Sequence, residues 1–170
     1  TLKIKKERGF IKFYVNDRYL TLYTHKPFMG KRLGFVVYNN QKIAIENLNV
    51  KYINQTNNNN IKNTVVANGE NVIVDYFTDN KNKWPITNTA NTTIMSVANS
   101  YYNFEHLKET GGWATNIPKT IDTSRDFEIV TAIKKINGVQ NYSYGLQWGK
   151  EGKSSFRFYI TGNGYYKIAR

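Results

Sequence analysis

The sequence predicts an all-β protein, an antiparallel β-sandwich or barrel, and three observations carry this. Apolar residues recur at every second position over short runs, the period of a strand with one buried face, and almost never at helical spacing. Gly, Asn and Asp separate the runs, and these residues accept the backbone conformations of tight turns. Aromatic side chains are abundant, with 13 Tyr, 9 Phe and 3 Trp in 170 residues. They suit a pleated, half-buried surface better than a helix.

The elements follow in chain order. "LKIKKE" alternates and leads through Arg8-Gly9 into "FIKFYVN", which Asn16-Asp17-Arg18 turns into "YLTLYTH". These are hairpins, with Ile11, Phe13 and Val15 on one face and Lys12, Tyr14 and Asn16 on the other. A loop, "PFMGK", precedes strands at Leu33–Tyr38 and Lys42–Ile53, with Asn39-Asn40 between them. "NQTNNNNIKN" is polar and low in complexity, the composition of an unstructured linker. "NVIVDYFTDNKNKWPI" then gives a strand and an Asp/Asn-rich turn that carries Trp84.

Further strands are expected at Thr92–Ser96, Tyr101–Lys108, Gly112–Asn116, Asp126–Ile136, Tyr142–Gly149, Lys153–Thr161 and Gly164–Ala169. Ser124-Arg125-Asp126 and Asn137-Gly138 punctuate them. Only "SVANSYYNFEHLKE" has enough helix formers to compete as a helix. Its aromatics Tyr102 and Phe104 alternate, which favours a strand.

Length suits one domain of ordinary size or two incomplete ones, with enough chain to bury a core unaided by disulfides. Cysteine is absent, which excludes a disulfide framework and a thiolate metal site. His25 and His106 are far apart and do not by themselves hold a metal. No apolar run approaches a membrane span, and the segment shows no signal peptide. The net charge is +12, of which residues 1–53 carry 11 basic against 3 acidic groups and residues 54–170 carry 13 against 9. Lys3 and Lys5 share one strand face, so the excess reads as a solvated basic stripe rather than a nucleic-acid site.

The order of features after the linker, "DYFTDNKNKWPI", "YYNFEHLKETGGWAT", "IDTSRDFEIVTAIKKINGVQNYSYGLQWG" and "SSFRFYITGNGYYKI", resembles the opening portion of a known domain type. That type is the concanavalin A-like (laminin-G-like) jelly roll of multidomain bacterial proteins, particularly of the Bacteroidetes type. The resemblance covers residues 72–170. Residues 1–53, with "TLKIKKERGFIKFYVNDR" and "PFMGKRLGFVVYNNQKIAIENLNVKYI", resemble the closing portion of the same domain. The organisation expected is a closing half at 1–53, an Asn-rich linker at 54–71 and an opening half at 72–170, the reverse of the family's order. Three origins are open: a slice of a tandem array, a circular permutation closing one sandwich, or an exchange of halves between molecules. A half sandwich exposes an apolar face and open edges, so any stable species must unite the two kinds of half.

No catalytic pattern emerges, and the chain reads as non-enzymatic. Asp126 and Glu128 share a strand face, but no third carboxylate follows, and Phe127 and Ile129 belong to the core. Glu105 and His106 point to opposite faces. The aromatics are the stronger feature, because sugar C–H faces stack on rings while amides bind hydroxyls. Candidate ligand residues are Trp84, Trp113, Trp148, Tyr144 and Tyr165, with Asn116 beside Trp113. Trp148 shares its face with Tyr144 and Leu146, which favours the core, and Trp84 is placed to staple the sandwich end.

The resemblance also implies calcium at the rim, but Asp75, Asp79 and Asp122 are scattered and assign no site; no cofactor is expected. It implies a non-catalytic, lectin-like adhesion module of a repetitive bacterial surface protein, extracellular, with glycan as partner and self-association or neighbouring repeats beside it. The alternative is a structural module that links repeats or subunits by exchange of halves without a small ligand.

Overall fold

A computed structural model describes residues 1–24, 30–53 and 69–170. Among these the chain forms fourteen strands and no helix. They are β1 (Leu2–Glu7), β2 (Phe10–Val15), β3 (Arg18–Thr24), β4 (Arg32–Tyr38), β5 (Gln41–Tyr52), β6 (Glu70–Asp75), β7 (Thr87–Thr89), β8 (Thr93–Ala98), β9 (Tyr101–His106), β10 (Gly112–Thr120), β11 (Phe127–Gly138), β12 (Ser143–Glu151), β13 (Ser154–Thr161) and β14 (Tyr166–Ala169). Two antiparallel sheets result. One has nine strands in the order β3-β2-β1-β11-β5-β9-β8-β7, with β6 beside β5. The other has five, in the order β10-β4-β12-β13-β14.

The turns explain the hairpins. Arg8 and Gly9 have φ of 50° and 79°, Asn16 and Asp17 of 48° and 61°, and Asn99 and Ser100 of 55° and 60°. Two central residues at positive φ give the turn whose twist matches that of paired strands. Asn99-Ser100 therefore splits "SVANSYYNFEH" into the β8–β9 hairpin and removes the competing helix.

Most strand ends shift by one to four residues from the sequence reading, β10 furthest, to Thr120, and three differences go further. Glu70 already belongs to β6, inside the span read as linker, because it pairs with Tyr52. Asn137 and Gly138 are not a turn; they extend β11 beside Lys42 and Gln41 across a register shift. The chain reverses instead at Val139–Tyr142, where Tyr142 N donates to Val139 O at 3.1 Å. β7 was not expected, since "TNT" carries no apolar residue; it exists by pairing with β8. The Asn-rich segment 54–68 and residues 25–29, which include His25, lie outside the described residues.

Strands from either side of residues 54–68 interleave. β11 lies between β1 and β5, and β4 lies between β10 and β12. The core between the sheets follows the alternation: Leu2, Ile4, Phe13, Val50, Phe104 and Ile129 from the larger sheet meet Leu33, Phe35, Val37, Leu146, Trp148 and Phe158 from the smaller. Phe13 reaches across to Phe158 with ring centres 5.2 Å apart. Each such fully buried side chain contributes about 1.5–3 kcal/mol.

Trp84 occupies the centre of an aromatic group, 5.3 Å from Phe35 and 5.0 Å from Tyr102. The buried Asp75 carboxylate seats it. One oxygen accepts from Trp84 Nε1 at 2.8 Å and Asn82 Nδ2 at 2.7 Å, the other from Phe77 N at 2.9 Å. The Asp/Asn-rich turn is thus a device for delivering an indole to the core.

Candidate functional site

The structure divides the six residues singled out from sequence. Trp84, Trp148 and Tyr144 are 2%, 0% and 5% exposed. Their rings fill the core and present no stacking surface, which corrects their place among ligand residues. Trp113 and Tyr165 stay exposed, at 43% and 73%. They do not form one platform. Trp113 is on β10 and Tyr165 is beside β14, the opposite edges of the five-stranded sheet, four strand spacings or about 19 Å apart. Asn116 is not Trp113's companion either, because odd and even positions of β10 face opposite ways. Thr115 reaches Tyr102 in the core, whereas Asn116 Oδ1 accepts from Gln147 Nε2 at 2.8 Å on the outer face.

Tyr165 belongs to a groove of about 800 Å³ between the edges of the two sheets. Val15, Leu20 and Ile160 line its apolar part. Tyr19, Tyr165 and Tyr166 stand on its walls, 53%, 73% and 45% exposed, with Asn16, Arg18 and Thr161 among them. Two turns build it. The Asn16-Asp17 turn brings Arg18 and Tyr19 to one side. On the other, Gly164 at φ 91° lets the chain double back, and Thr161 clamps Tyr165: Thr161 N donates to Tyr165 O at 3.0 Å and Tyr165 N to Thr161 Oγ1 at 3.0 Å. Sequence reasoning missed Tyr19 and Tyr166 because their meeting depends on how the two sheets stack.

A second group lies on the outer face of the five-stranded sheet. Here the even positions of β4 and β10 and the odd positions of β12 to β14 point away from the core. Register aligns Asn116, Gly34, Gln147 and Arg157 in one row and Ala114, Val36, Gly145, Tyr159 and Lys167 in the next. The glycines are obligatory: a Cβ would lie 1.7 Å from Thr115 O at Gly34 and 2.1 Å from Phe158 O at Gly145. At Gly112 it would meet the Tyr38 ring at 2.6 Å, so that ring lies over the glycine.

Around these glycines stand polar groups. The Tyr38 and Tyr159 hydroxyls are 2.9 Å apart with rings edge to face, and Arg157 Nη1 donates to them at 2.7 and 3.2 Å. Arg157 Nε donates to Ser155 Oγ at 3.1 Å. Burial, aided by the neighbouring Tyr38 hydroxyl, pushes the Tyr159 phenol up to about 12, so it stays neutral. Burial opposes the Arg157 charge, but its bonds to Tyr159 and Tyr38 outweigh that and hold the guanidinium above its ordinary value. "SSFRFYIT" carried a signal for this group, since Phe156, Phe158 and Ile160 alternate with Ser155, Arg157 and Tyr159.

Several acidic residues are held in bonds within the fold. Glu128 pairs with Lys51 at 2.9 Å, and Asp126 is 3.9 Å from the buried Lys6 ammonium, so both are engaged by cations. Asp79 accepts from Lys81 N and Asp122 from Ser124 N, each at 3.0 Å, and Asp75 holds the Trp84 turn. Among the described residues no three His, Asp or Glu side chains gather as a metal site. No protein-family model matches the chain, and no curated protein matches it.

Proposed function

We propose that the protein is a non-catalytic binding module whose ligand is a glycan, an adhesion-type role on a sandwich scaffold. The observation that carries this is the groove walled by Tyr19, Tyr165 and Tyr166, three exposed rings over an apolar floor with Asn16, Arg18 and Thr161 at hand. Sugars offer apolar C–H faces to such rings and hydroxyls to such polar groups. The concanavalin A-like, laminin-G-like resemblance of the sequence points the same way, although a fold alone assigns no ligand.

The test is a screen of immobilised neutral and acidic glycans, followed by calorimetry of the best binder. Tyr165→Ala is expected to weaken binding at least tenfold, whereas Trp113→Ala on the far edge leaves it within twofold. The reading is sunk if no glycan binds, or if Tyr165→Ala binds as the parent does.

A second reading, self-association, draws on the same side of the molecule. β3 and β14 are sheet edges with Tyr19, Leu22, Tyr23, Tyr165 and Tyr166 exposed, and β3 holds seven residues without proline. Opposite them, β7 is three residues long and β10 contains Pro118, features that blunt an edge. Sedimentation across a concentration series distinguishes this reading, which fails if the protein stays monomeric throughout.

A further inference from the structure

We propose that one end of the five-stranded sheet holds a dianionic phosphate monoester borne on a sugar, gripped by Lys31, Arg32 and Lys150. The sugar rests on the glycan reading above; the site and its residues are separate from the groove.

An open cavity of about 470 Å³ lies where β4 begins and β10 and β12 end. Lys31, Arg32 and Lys150 line it together with Thr120 and Glu151. Both neighbours of Arg32 leave regular pairing to reach it. Along β12 the register passes from Trp148 opposite Leu33 to Lys150 opposite Arg32, and the extra residue is Gly149, at φ 62°. Strict alternation would send Lys150 to the core side with Leu146 and Trp148. The bulge turns it to the face of Arg32 instead, since residues directly opposite share a face. On the other flank β10 spends four residues, from Asn116 to Thr120, where β4 spends two, and so sets Thr120 opposite Arg32.

Like charges placed directly opposite each other cost stability. None of the seven ion pairs among the described residues offsets this, because none includes Lys31, Arg32 or Lys150. Lys150 Nζ donates to Gly152 O, which leaves its other two protons for a ligand. Lys31 and Arg32 are exposed, as are Lys119 and Lys153, which adjoin Thr120 and Gly152 in the chain and extend the charge. The carboxylates at hand are Glu151 on the wall and Asp122. Asp122 feels Lys31 but is already bonded by Ser124 N and Oγ, at 3.0 and 2.6 Å. Bulges recur beside binding sites, where they re-aim a side chain, and this one brings a second cation to an open cavity.

Three lining cations against one lining carboxylate leave about two positive charges. A phosphate monoester carries about two negative charges at neutral pH, whereas a sulfate ester or a carboxylate carries one. The donors come from two strands and the segment before β4, so they suit a group with three oxygens better than the flat pair of a carboxylate. No aromatic ring lines the cavity, so it offers a nucleic-acid base nothing to stack on.

The probes are glucose 6-phosphate, glucose 6-sulfate and glucose, titrated against the full chain and followed by NMR. At pH 7.5 the phosphate is expected to bind at least fivefold more tightly than the sulfate. Lowering the pH to 5 takes the phosphate to about one charge and should erase that advantage. Arg32→Gln combined with Lys150→Gln should weaken the phosphate at least tenfold. Lys5→Gln combined with Lys12→Gln, the same change of charge on the larger sheet, should leave it within twofold. Equal affinity for phosphate and sulfate at pH 7.5, or equal losses in the two double variants, overturns the proposal. If Tyr165→Ala removes the phosphate and the Arg32 and Lys150 changes do not, the groove reading stands and this one falls. If the reverse holds, the phosphate site stands without the groove. A phosphoserine peptide or phosphatidic acid vesicles binding more tightly than glucose 6-phosphate would overturn the sugar as bearer. Should the Arg32 and Lys150 double variant not fold, the unmodified protein decides: the phosphate must move the Arg32 Nε and Lys150 amide resonances, and a shift at Tyr165 in their place overturns the proposal.

Discussion

The two outer faces of the sandwich are made by opposite means. On the nine-stranded sheet Lys3, Lys5, Lys12, Lys42 and Lys51 meet Asp17, Glu7, Glu105 and Glu128 in same-strand, cross-strand or turn pairs of 2.5–3.7 Å. On the five-stranded sheet glycines, two tyrosines, a buried glutamine and an arginine replace them, and among the described residues no ion pair forms there. The basic excess of residues 1–53 is thus largely spent within its own sheet. Arg157, which bonds to hydroxyls and forms no ion pair among the described residues, comes from the less basic part of the chain. A charge count along a sequence locates charge in number but not in field, because register decides which charges neutralise one another.

The comparison breaks first at the glycines. Gly145→Val would drive a branched side chain into Phe158 O, where a Cβ alone would sit at 2.1 Å. The expected loss is about 3 kcal/mol, the upper part of the range for overpacking. Lys5→Thr on the other outer face should cost under about 0.5 kcal/mol, as surface changes do. Urea unfolding of the two variants measures both. Near-equal losses would show that the five-stranded face is an ordinary solvated surface.

The fold was legible because alternation and turn chemistry agree nearly everywhere. Arg8-Gly9, Asn16-Asp17 and Asn99-Ser100 sit where positive φ is needed, and the apolar parity of β1, β2, β11 and β12 names the core face. The failures are local. "TNT" has no apolar signal and becomes β7 only because β8 offers it an edge. Asn137-Gly138 looks like a turn but is held extended by β5. The candidate site was less legible. Aromatic content cannot tell core from surface until the sheets are stacked, which is why Trp84, Trp148 and Tyr144 were included. Tyr38, Gln147, Arg157 and Tyr159 come from three strands, and β4 joins the other two only by inserting between β10 and β12. No local pattern encodes that insertion.

A smaller effect sharpens the contrast. Tyr159→Phe removes a hydroxyl bonded to Tyr38 and Arg157, with an expected loss of about 1 kcal/mol at neutral pH. Its pH dependence has a definite sign. Burial raises the folded-state value to about 12, above an ordinary phenol, so the fold favours the protonated form. That stability is complete below about pH 10 and is lost as pH rises from 10 towards 12. Tyr102, also raised to about 12 by burial, loses stability over the same window. Tyr159→Phe should therefore decline less steeply than the parent between pH 10 and 12. Parallel curves would show that Tyr159 ionises as a solvated phenol.

The smallest effect distinguishes the faces by their response to acid. The Glu7 carboxyl is partly desolvated, which opposes its charge, but Lys5 and Lys12 outweigh this and hold it below its ordinary value. Its stabilisation is present above the ordinary carboxylate range and is lost as pH falls through the depressed folded-state value. Glu7→Gln should cost about 0.2–1 kcal/mol at pH 7 in low salt, and nothing in strong acid or 1 M salt. Arg157 pairs with no carboxylate among the described residues, so the stability difference between the parent and Arg157→Gln should stay flat from pH 7 to pH 3. If that difference instead shrank in acid as Glu7→Gln does, Arg157 would have a carboxylate partner within the protein. The contrast between the two faces would then be one of degree.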